Sequence, residues 1–300
     1  MSSFTILVDT NTDLPQEYLD EHDIEVIPIP FNIDGAQHSG GRWQEITEDG
    51  FYDALRKGSS AGTALINPEE YISVFTEYAS QEKALLVITL SSGLSGTYQN
   101  SVIAIDDVRG RYPDCQIYSV DSLNAAGGAG LVAMLAVNKR SEGLSVGETA
   151  AWLEEKRQNC FALFTVDDLM YLHRGGRLSK LSAVAGSIIG IKPLLNVAPD
   201  GTLKLKDKAR GRKGSLTTLF KQMKRSLNTD TKLNTVIISH SDCYEDAESL
   251  ADMIRSSYEV NEVIVTMMGP VIGAHVGPGC VALFFEADMT RDVYEEKFYS

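Results

Sequence analysis

The sequence predicts an α/β fold made of two α/β domains. Apolar segments that read as strands alternate with amphipathic segments that read as helices through the first half, a pattern typical of parallel strands with crossover helices. The second half is richer in strands that follow one another, so a mixed sheet is expected there. A length of 300 residues suggests about two domains.

We place the domain boundary near residue 160, where the pattern changes. Residues 1–160 are expected to form an N-terminal α/β domain that carries a ligand-binding serine loop. Residues 161–286 are expected to form a C-terminal α/β domain. Residues 287–300 read as a charged tail or a short terminal helix.

The first half begins with the apolar strand "FTILVDT" and a helix near Pro15. The segment "IEVIPIPFNIDG" reads as an edge strand because of its two prolines, and its Asp34-Gly35 pair predicts a turn. Residues 36–46 are expected to be a loop, followed by a short helix near 51–55. The rest alternates in order: helix "INPEEYISVFTEYAS", strand "ALLVITL", a helix from about Thr97, strand "QIYSVDS", then helices "GLVAMLAVNKR" and "VGETAAWLEEKRQ".

The second half opens with the strand "FALFTV". The segment "LSAVAGSIIGI" is apolar on all sides and predicts a buried helix. Alternating residues around Pro199-Asp200-Gly201 predict a hairpin. The remaining elements are helices near 216–227 and 244–255 and the strands "NTVIISH", "EVIVTMM" and "CVALFFEA".

Composition excludes several classes of protein. The net charge of −14, from 27 basic and 41 acidic side chains, argues against general nucleic-acid binding, which needs a basic face. The four cysteines are far apart and have no zinc-ligand spacing. No signal peptide or run of about 18 apolar residues is present. We therefore expect a cytoplasmic protein without a metal, a cofactor or stable membrane insertion.

The segment "ALLVITLSSGLSGTYQN" predicts a binding loop at the carboxyl end of a parallel strand, where α/β folds bind ligands. The following helix N-terminus favours an anion, and the glycines allow close approach of the backbone. Simple capping of the helix by Ser95 or Thr97 would explain one of these hydroxyls, but not all of them. The candidate donors and glycines are Ser91, Ser92, Gly93, Ser95, Gly96 and Thr97.

The loop lacks the lysine of a P-loop and the Rossmann glycine pattern, so a singly charged carboxylate suits it better than a triphosphate. A nucleophile elbow would need G-x-S-x-G, which "GLSGT" breaks at its last position.

His275, expected in a glycine-rich loop between two strands, is the second candidate. If His275 meets Ser95, the pair is either the nucleophile and base of a serine hydrolase or two donors to a carboxylate. A phosphate- or sugar-binding regulator is the third alternative.

The segment "YLHRGGRLSK" and the run from Lys204 to Gly214 form the only strongly basic region of this acidic chain. Such a region is either a solvated basic turn or a surface that docks an acidic protein or a phosphate. Thr63 lies just before the helix that begins near Asn67. Most threonines in this position only organise a turn.

These motifs, in this order, resemble the DegV family of fatty-acid-binding proteins. The resemblance covers about residues 4–286. It is carried by "VDTNTDLP", "GTALINPEEY", "SSGLSGTYQ", "VDSLNAAGGAG", "YLHRGGRLSK", "PDGTLKLKDKARGRKG" and "GAHVGPG".

The resemblance implies a ligand cleft between the two domains, in which a long-chain fatty acid is buried. It also implies that the carboxylate of this fatty acid is held by Thr63, Ser95, Gly96 and His275. It further implies a non-enzymatic carrier, which presents the carboxylate to a separate acidic kinase subunit and then carries the acyl-phosphate in phospholipid synthesis. Kinase docking would fall on the arginines of the basic region, namely Arg174, Arg177 and Arg210.

One departure from the family pattern is Ala64, where the family commonly has serine after the threonine. The carboxylate site would then lack one hydroxyl, and Thr63 would carry more of the binding. The segment "LSAVAGSIIGIKPLL" is either a wall for the acyl chain or ordinary core.

Overall fold

The computed structural model describes residues 4–41, 43–179 and 190–299. In chain order its first half contains β1 (Phe4–Asp9), α1 (Gln16–Glu21), β2 (Ile24–Ile27), β3 (Phe31–Ile33), β4 (Ala36–His38), α2 (Glu48–Arg56), β5 (Ala61–Thr63), α3 (Pro68–Ser80), β6 (Ala84–Thr89), α4 (Thr97–Arg111), β7 (Ile117–Asp121), α5 (Gly127–Ser141) and α6 (Val146–Lys156). Its second half contains β8 (Cys160–Thr165), α7 (Met170–Arg174), β9 (Ile191–Val197), β10 (Leu203–Arg210), α8 (Gly211–Ser226), β11 (Leu233–His240), α9 (Tyr244–Arg255), β12 (Val260–Met267), α10 (Pro270–Val276), β13 (Val281–Glu286) and α11 (Arg291–Tyr299).

Four strands of the first half form a parallel sheet in the order β2-β1-β6-β7. Its central strands are buried on both faces: Ile6 and Val8 pack into one apolar cluster, whereas Leu7 packs into another. Burial on both faces explains why β1 and β6 read as continuous apolar runs. The α/β fold and its parallel sheet are confirmed.

The second half forms a six-stranded mixed sheet in the order β10-β9-β8-β13-β11-β12. The β11–β12 pair is parallel, and the other pairs are antiparallel. The hairpin of β9 and β10 turns at Gly201, whose φ of 76° suits glycine. The two large sheets share no strand among the described residues, but the division near residue 160 remains a prediction.

A small sheet, β4-β3-β5, lies apart from the large ones. The turn at Asp34-Gly35 has φ angles of 49° and 84° and joins β3 to β4 as a hairpin. We expected residues 36–46 to form a loop. This is wrong for Ala36–His38, because the turn leads directly into strand β4. Thr63 ends β5 and pairs with Phe31.

Two other expectations differ from the structure. The helix expected near 216–227 begins earlier, at Gly211, directly after β10. His275 lies on α10 and not in a loop, because Pro270 occupies the first helical turn and Gly277, with a φ of 67°, ends the helix. The apolar helix expected from "LSAVAGSIIGI" lies almost entirely outside the described residues.

The last residues form α11, which packs on the C-terminal sheet through the buried Tyr294. Arg291, at the start of α11, is only 2% exposed. Its guanidinium donates to the backbone carbonyls of Leu123 at 2.9 Å and Ala198 at 3.2 Å. The side chain thus ties the terminal helix to the loop after β7 and to the β9–β10 hairpin.

Within the described ranges, none of the helices combines the length and the apolar character needed to cross a membrane.

Candidate functional site

A mostly apolar cavity lies between the two halves of the chain, and both contribute to its walls. It holds about 740 Å³ of space between protein atoms, its open mouth included. Its apolar walls include Leu94, Phe164, Leu172, Val271, Ile272 and Phe284. A few polar side chains also reach it, namely Thr63, Ser95, Arg177 and His275.

Thr63 and His275 meet at this cavity. Thr63 Oγ1 lies 2.8 Å from His275 Nε2, although 212 residues separate them in the sequence. Thr63 comes from the small sheet and His275 from α10, so neither half of the chain makes this hydrogen bond alone. Threonine and histidine can together present hydrogen-bond donors to an anion at the cavity.

His275 is electrically neutral at physiological pH. Burial, and then the positive charge of Arg177, lowers the pKa of its imidazole to about 4. Nδ1 of His275 has no hydrogen-bond partner among the described residues. No carboxylate therefore orients this ring, as one would in a catalytic triad.

The "VDTNTD" motif places α10, and with it His275. Asp13, in the loop after β1, accepts a hydrogen bond of 2.8 Å from the backbone N–H of Gly269, the residue that caps α10. On the next turn, a Cβ at Gly273 would lie 2.7 Å from the hydroxyl of Tyr52, so only glycine lets α10 approach α2 this closely. The hydrogen bond to Asp13 therefore fixes the start of α10, and the absence of a side chain at Gly273 sets its distance from α2.

The hydroxyls of the serine loop have separate roles. Ser95 lines the cavity, and its Oγ lies 2.9 Å from Thr97 Oγ1. Thr97 is fully buried, and its backbone N–H donates to Ser95 Oγ at 3.3 Å, which fixes the Ser95 side chain. Ser92 is exposed, and its N–H donates to Asp121.

Ser91 joins the two halves. It is buried, and its hydroxyl donates to the carbonyl of Gly201 at 2.9 Å. The adjacent Gly93 approaches the same hairpin turn so closely that a Cβ there would lie 2.6 Å from the carbonyl carbon of Gly201. The loop "SSGLSGT" thus contains one hydroxyl for the cavity and another for the contact between the halves.

The three arginines of the basic region occupy different surroundings. Arg177 is half-buried and lines the cavity; its Nε donates to the carbonyl of Leu94 at 3.1 Å. Burial lowers the pKa of its guanidinium. Arg174 is exposed and stacks over the Tyr171 ring at 4.6 Å. Arg210 is exposed at the end of β10.

The sequence predicts that Arg177 belongs to a docking surface. In the structure it lines the same cavity as His275, and its docking role stays a prediction. The two glycines between Arg174 and Arg177 indicate a tight turn, but they do not reveal which arginine points inward. Gly96, the remaining predicted carboxylate ligand, is exposed at the start of α4 and is not among the residues that line the cavity. Its role stays a prediction.

Gly175 is a residue of this site that sequence reasoning missed. A Cβ there would lie 2.3 Å from Nδ1 of His275, so its backbone supports the imidazole directly.

No cluster of three or more potential metal ligands of the His, Cys, Asp or Glu type occurs in the described part of the chain.

This fold and this site define a class of protein: an α/β protein with an apolar cavity between two sheets and a small polar group of side chains beside it. Comparison with known proteins gives the family. The model of the family described as "Uncharacterised protein, DegV family" matches residues 3–288, and the chain belongs to this family.

Relatives extend along nearly the whole chain. A DegV domain-containing protein of Clostridium perfringens is 39% identical over 289 residues, covering 96% of this chain and 99% of the relative. A protein of Thermotoga maritima named "Fatty acid-binding protein" is 31% identical and covers 94% of this chain and 96% of the relative. A solved Thermotoga maritima structure, reported to reveal fatty acid binding function, superposes with a TM-score of 0.83 at 30% identity, covering 96% of this chain and 100% of that chain.

Proposed function

We propose that this protein binds a long-chain fatty acid in the cavity between its halves, with the carboxylate at Thr63, Ser95 and His275. The observation that carries the proposal is the Thr63–His275 hydrogen bond at a cavity whose walls are otherwise mostly apolar. A ligand with a long apolar chain and one small polar end fits this distribution of side chains.

The energetics support this ligand. Each buried CH₂ group contributes about 0.8 kcal/mol, so a chain of about 16 carbons has ample driving force. A buried carboxylate must be hydrogen-bonded, and a neutral His275, two hydroxyls and the nearby Arg177 offer donors for its oxygens. The cation of Arg177 also favours the ionised head group over the protonated one.

We further propose that the protein presents this carboxylate to a separate kinase subunit and then carries the acyl-phosphate. In that reaction a carboxylate oxygen forms a bond to the γ-phosphorus of ATP. The bond from that phosphorus to the bridging oxygen breaks, and ADP leaves. The kinase subunit supplies the ATP, so the role of this chain is to hold and expose the nucleophile.

Docking to an acidic kinase surface is assigned to the exposed Arg210, with Arg174 near the cavity mouth. Neither side chain makes an ion pair within the described ranges, so both charges are available to a partner. Arg210→Glu is expected to weaken the complex at low salt, whereas Arg225→Glu, an exposed change on α8, is not. Equal binding by the wild-type protein and Arg210→Glu would argue against this surface.

The binding proposal is tested by isothermal calorimetry with palmitate on delipidated protein. Thr63→Val removes a hydroxyl while nearly keeping the shape, and it should weaken binding by about tenfold or more. Thr63→Ser keeps the hydroxyl and is the matched control. Failure of the wild-type protein to bind palmitate, in calorimetry and in native mass spectrometry, would overturn the proposal.

The geometry does not favour a serine hydrolase. The hydrogen-bond partner of Ser95 Oγ is Thr97, whereas the partner of His275 Nε2 is Thr63. A nucleophile–base pair would need Ser95 and His275 within hydrogen-bond reach of each other.

A further inference from the structure

The β9–β10 hairpin forms part of the cavity wall and part of the joint between the two halves of the chain. Val197, the last residue of β9, and Leu203, the first residue of β10, line the cavity on either side of the hairpin tip. At the tip, the carbonyl of Gly201 accepts a hydrogen bond of 2.9 Å from the hydroxyl of Ser91. A movement of the tip would therefore part this wall from the loop that carries Ser95.

Side chains from outside the hairpin hold the carbonyl groups of its tip. Nε2 of Gln158 donates to the carbonyl of Pro199 at 3.0 Å. Arg291, the first residue of α11, donates to the carbonyl of Ala198 at 3.2 Å and to that of Leu123, in the first half, at 2.9 Å. Arg291 therefore bridges the hairpin tip and the first half of the chain.

α11 is anchored on both strands of the hairpin. Glu295 accepts a hydrogen bond of 2.6 Å from Asn196 of β9 and forms an ion pair with Lys206 of β10. The buried Tyr294 packs edge-to-face on Phe161 of β8. The family model ends at residue 288, so membership of the family gives α11 no role.

Arg291 is buried as a cation without a carboxylate in hydrogen-bond contact. Burial lowers the pKa of its guanidinium to about 10, so the group is still charged at neutral pH. Its hydrogen bonds to the described residues all go to backbone carbonyl groups, and Nε has no partner there. Such bonds replace the lost hydration of a cation only in part. The closed arrangement thus lacks the stabilisation of a carboxylate partner, and opening returns the guanidinium to water.

We propose that α11 is a latch on this wall, and that release of Arg291 from the hairpin tip lets the wall open for a fatty acid to enter and leave. The inference rests on the proposed function, since a fatty acid is the ligand that passes. The hydrogen bonds of the latch are all with protein groups, so it closes an empty and a filled cavity alike. A weaker latch should therefore speed entry and exit equally and leave the equilibrium affinity unchanged.

Stopped-flow fluorescence with parinaric acid, a fluorescent long-chain fatty acid, measures both rates on the delipidated full-length protein. Arg291→Met should raise the rates of uptake and release by about tenfold and change Kd less than about twofold. Glu295→Gln keeps Arg291 but removes the ion pair to Lys206, and it should raise both rates by a smaller factor. If Arg291→Met does not fold, Glu295→Gln decides the question by the same criteria.

Leu250→Ala is the control for a general loss of stability. It truncates a buried side chain on α9, which packs on β11 and β12, so it should lower the melting temperature without changing either rate. Equal acceleration in Leu250→Ala and Arg291→Met would assign the effect to lower stability and overturn the inference.

Unchanged rates in Arg291→Met, with the probe bound by the wild-type protein, would overturn the inference while leaving the proposed function intact. Faster release with unchanged uptake, and hence a loss of affinity, would also overturn it, because that pattern indicates a damaged binding site. If the wild-type protein binds neither parinaric acid nor palmitate, the proposed function fails, and the inference fails with it.

Discussion

A Cβ on Gly175 would lie 2.3 Å from Nδ1 of His275, far inside any tolerated contact. The backbone at Gly175 has a φ of −70°, which alanine adopts freely, so the conflict is with the imidazole alone. Gly175 therefore supports the ring whose other nitrogen bonds to Thr63.

Gly175→Ala is expected to push His275 away from Thr63 and to weaken palmitate binding by about tenfold, the cost of a lost hydrogen bond to a charged group. Calorimetry with palmitate measures the loss. Gly110→Ala, in α4, adds a methyl group with nothing within 4 Å and is the matched control. Wild-type affinity in Gly175→Ala would show that the position of His275 does not matter for binding.

Ala64→Ser should strengthen palmitate binding several-fold. Ala64 lines the cavity next to Thr63, so a hydroxyl there can donate to a carboxylate oxygen that otherwise has fewer partners. Titration of delipidated protein with palmitate measures the gain. Ala151→Ser, an exposed change on α6, should leave affinity unchanged; equal affinity of Ala64→Ser and the wild-type protein would contradict the prediction.

His275 makes stability depend on pH. Because its pKa is about 4 in the folded protein and near 6.5 when unfolded, the unfolded chain binds the proton first as pH falls. Stability is therefore complete above about pH 6.5 and declines toward pH 4, by up to about 3 kcal/mol.

Urea unfolding from pH 4 to 7 checks this dependence. His275→Gln removes the titrating group, so its free energy of unfolding should fall less steeply than that of the wild-type protein over this range. The comparison isolates His275 from the buried His240, whose pKa is also lowered by burial. Parallel curves would contradict the prediction.

Arg291→Met is expected to lower the free energy of unfolding by about 3 kcal/mol. The change keeps the apolar stem but leaves the buried carbonyls of Leu123 and Ala198 without their donor. Urea unfolding measures the loss. Arg225→Met, exposed on α8, should have little effect, and equal losses in the two variants would mean that the buried carbonyls do not depend on Arg291.

Local features of this fold were predictable from the sequence. Asn67 and Glu70 form a reciprocal capping box at the start of α3, and the sequence already indicated this helix start through Asn67, Pro68 and the glutamates that follow. The Asp34-Gly35 turn was also predictable, because both residues readily adopt the positive φ angles that this turn requires. Capping and turn chemistry act over a few residues and can be read from them.

Long-range relationships were not predictable in this way. Nothing in the spacing of Thr63 and His275 indicates that they meet; their pairing came from the family resemblance. The inward direction of Arg177 depends on its contact with Leu94, from a different half of the chain. His275 was expected in a loop because glycine and proline surround it, although both residues here mark the ends of a short helix.

The bond between Asp13 and Gly269, which spans 256 residues, has a consequence for synthesis. A ribosome that adds about 5–20 residues per second needs roughly 13–50 s to produce Gly269 after Asp13 has been made. Until then α10 does not exist, and Thr63 has no imidazole to meet. A nascent chain can therefore fold its parallel sheet early, but it brings Thr63 and His275 together only after α10 has been made.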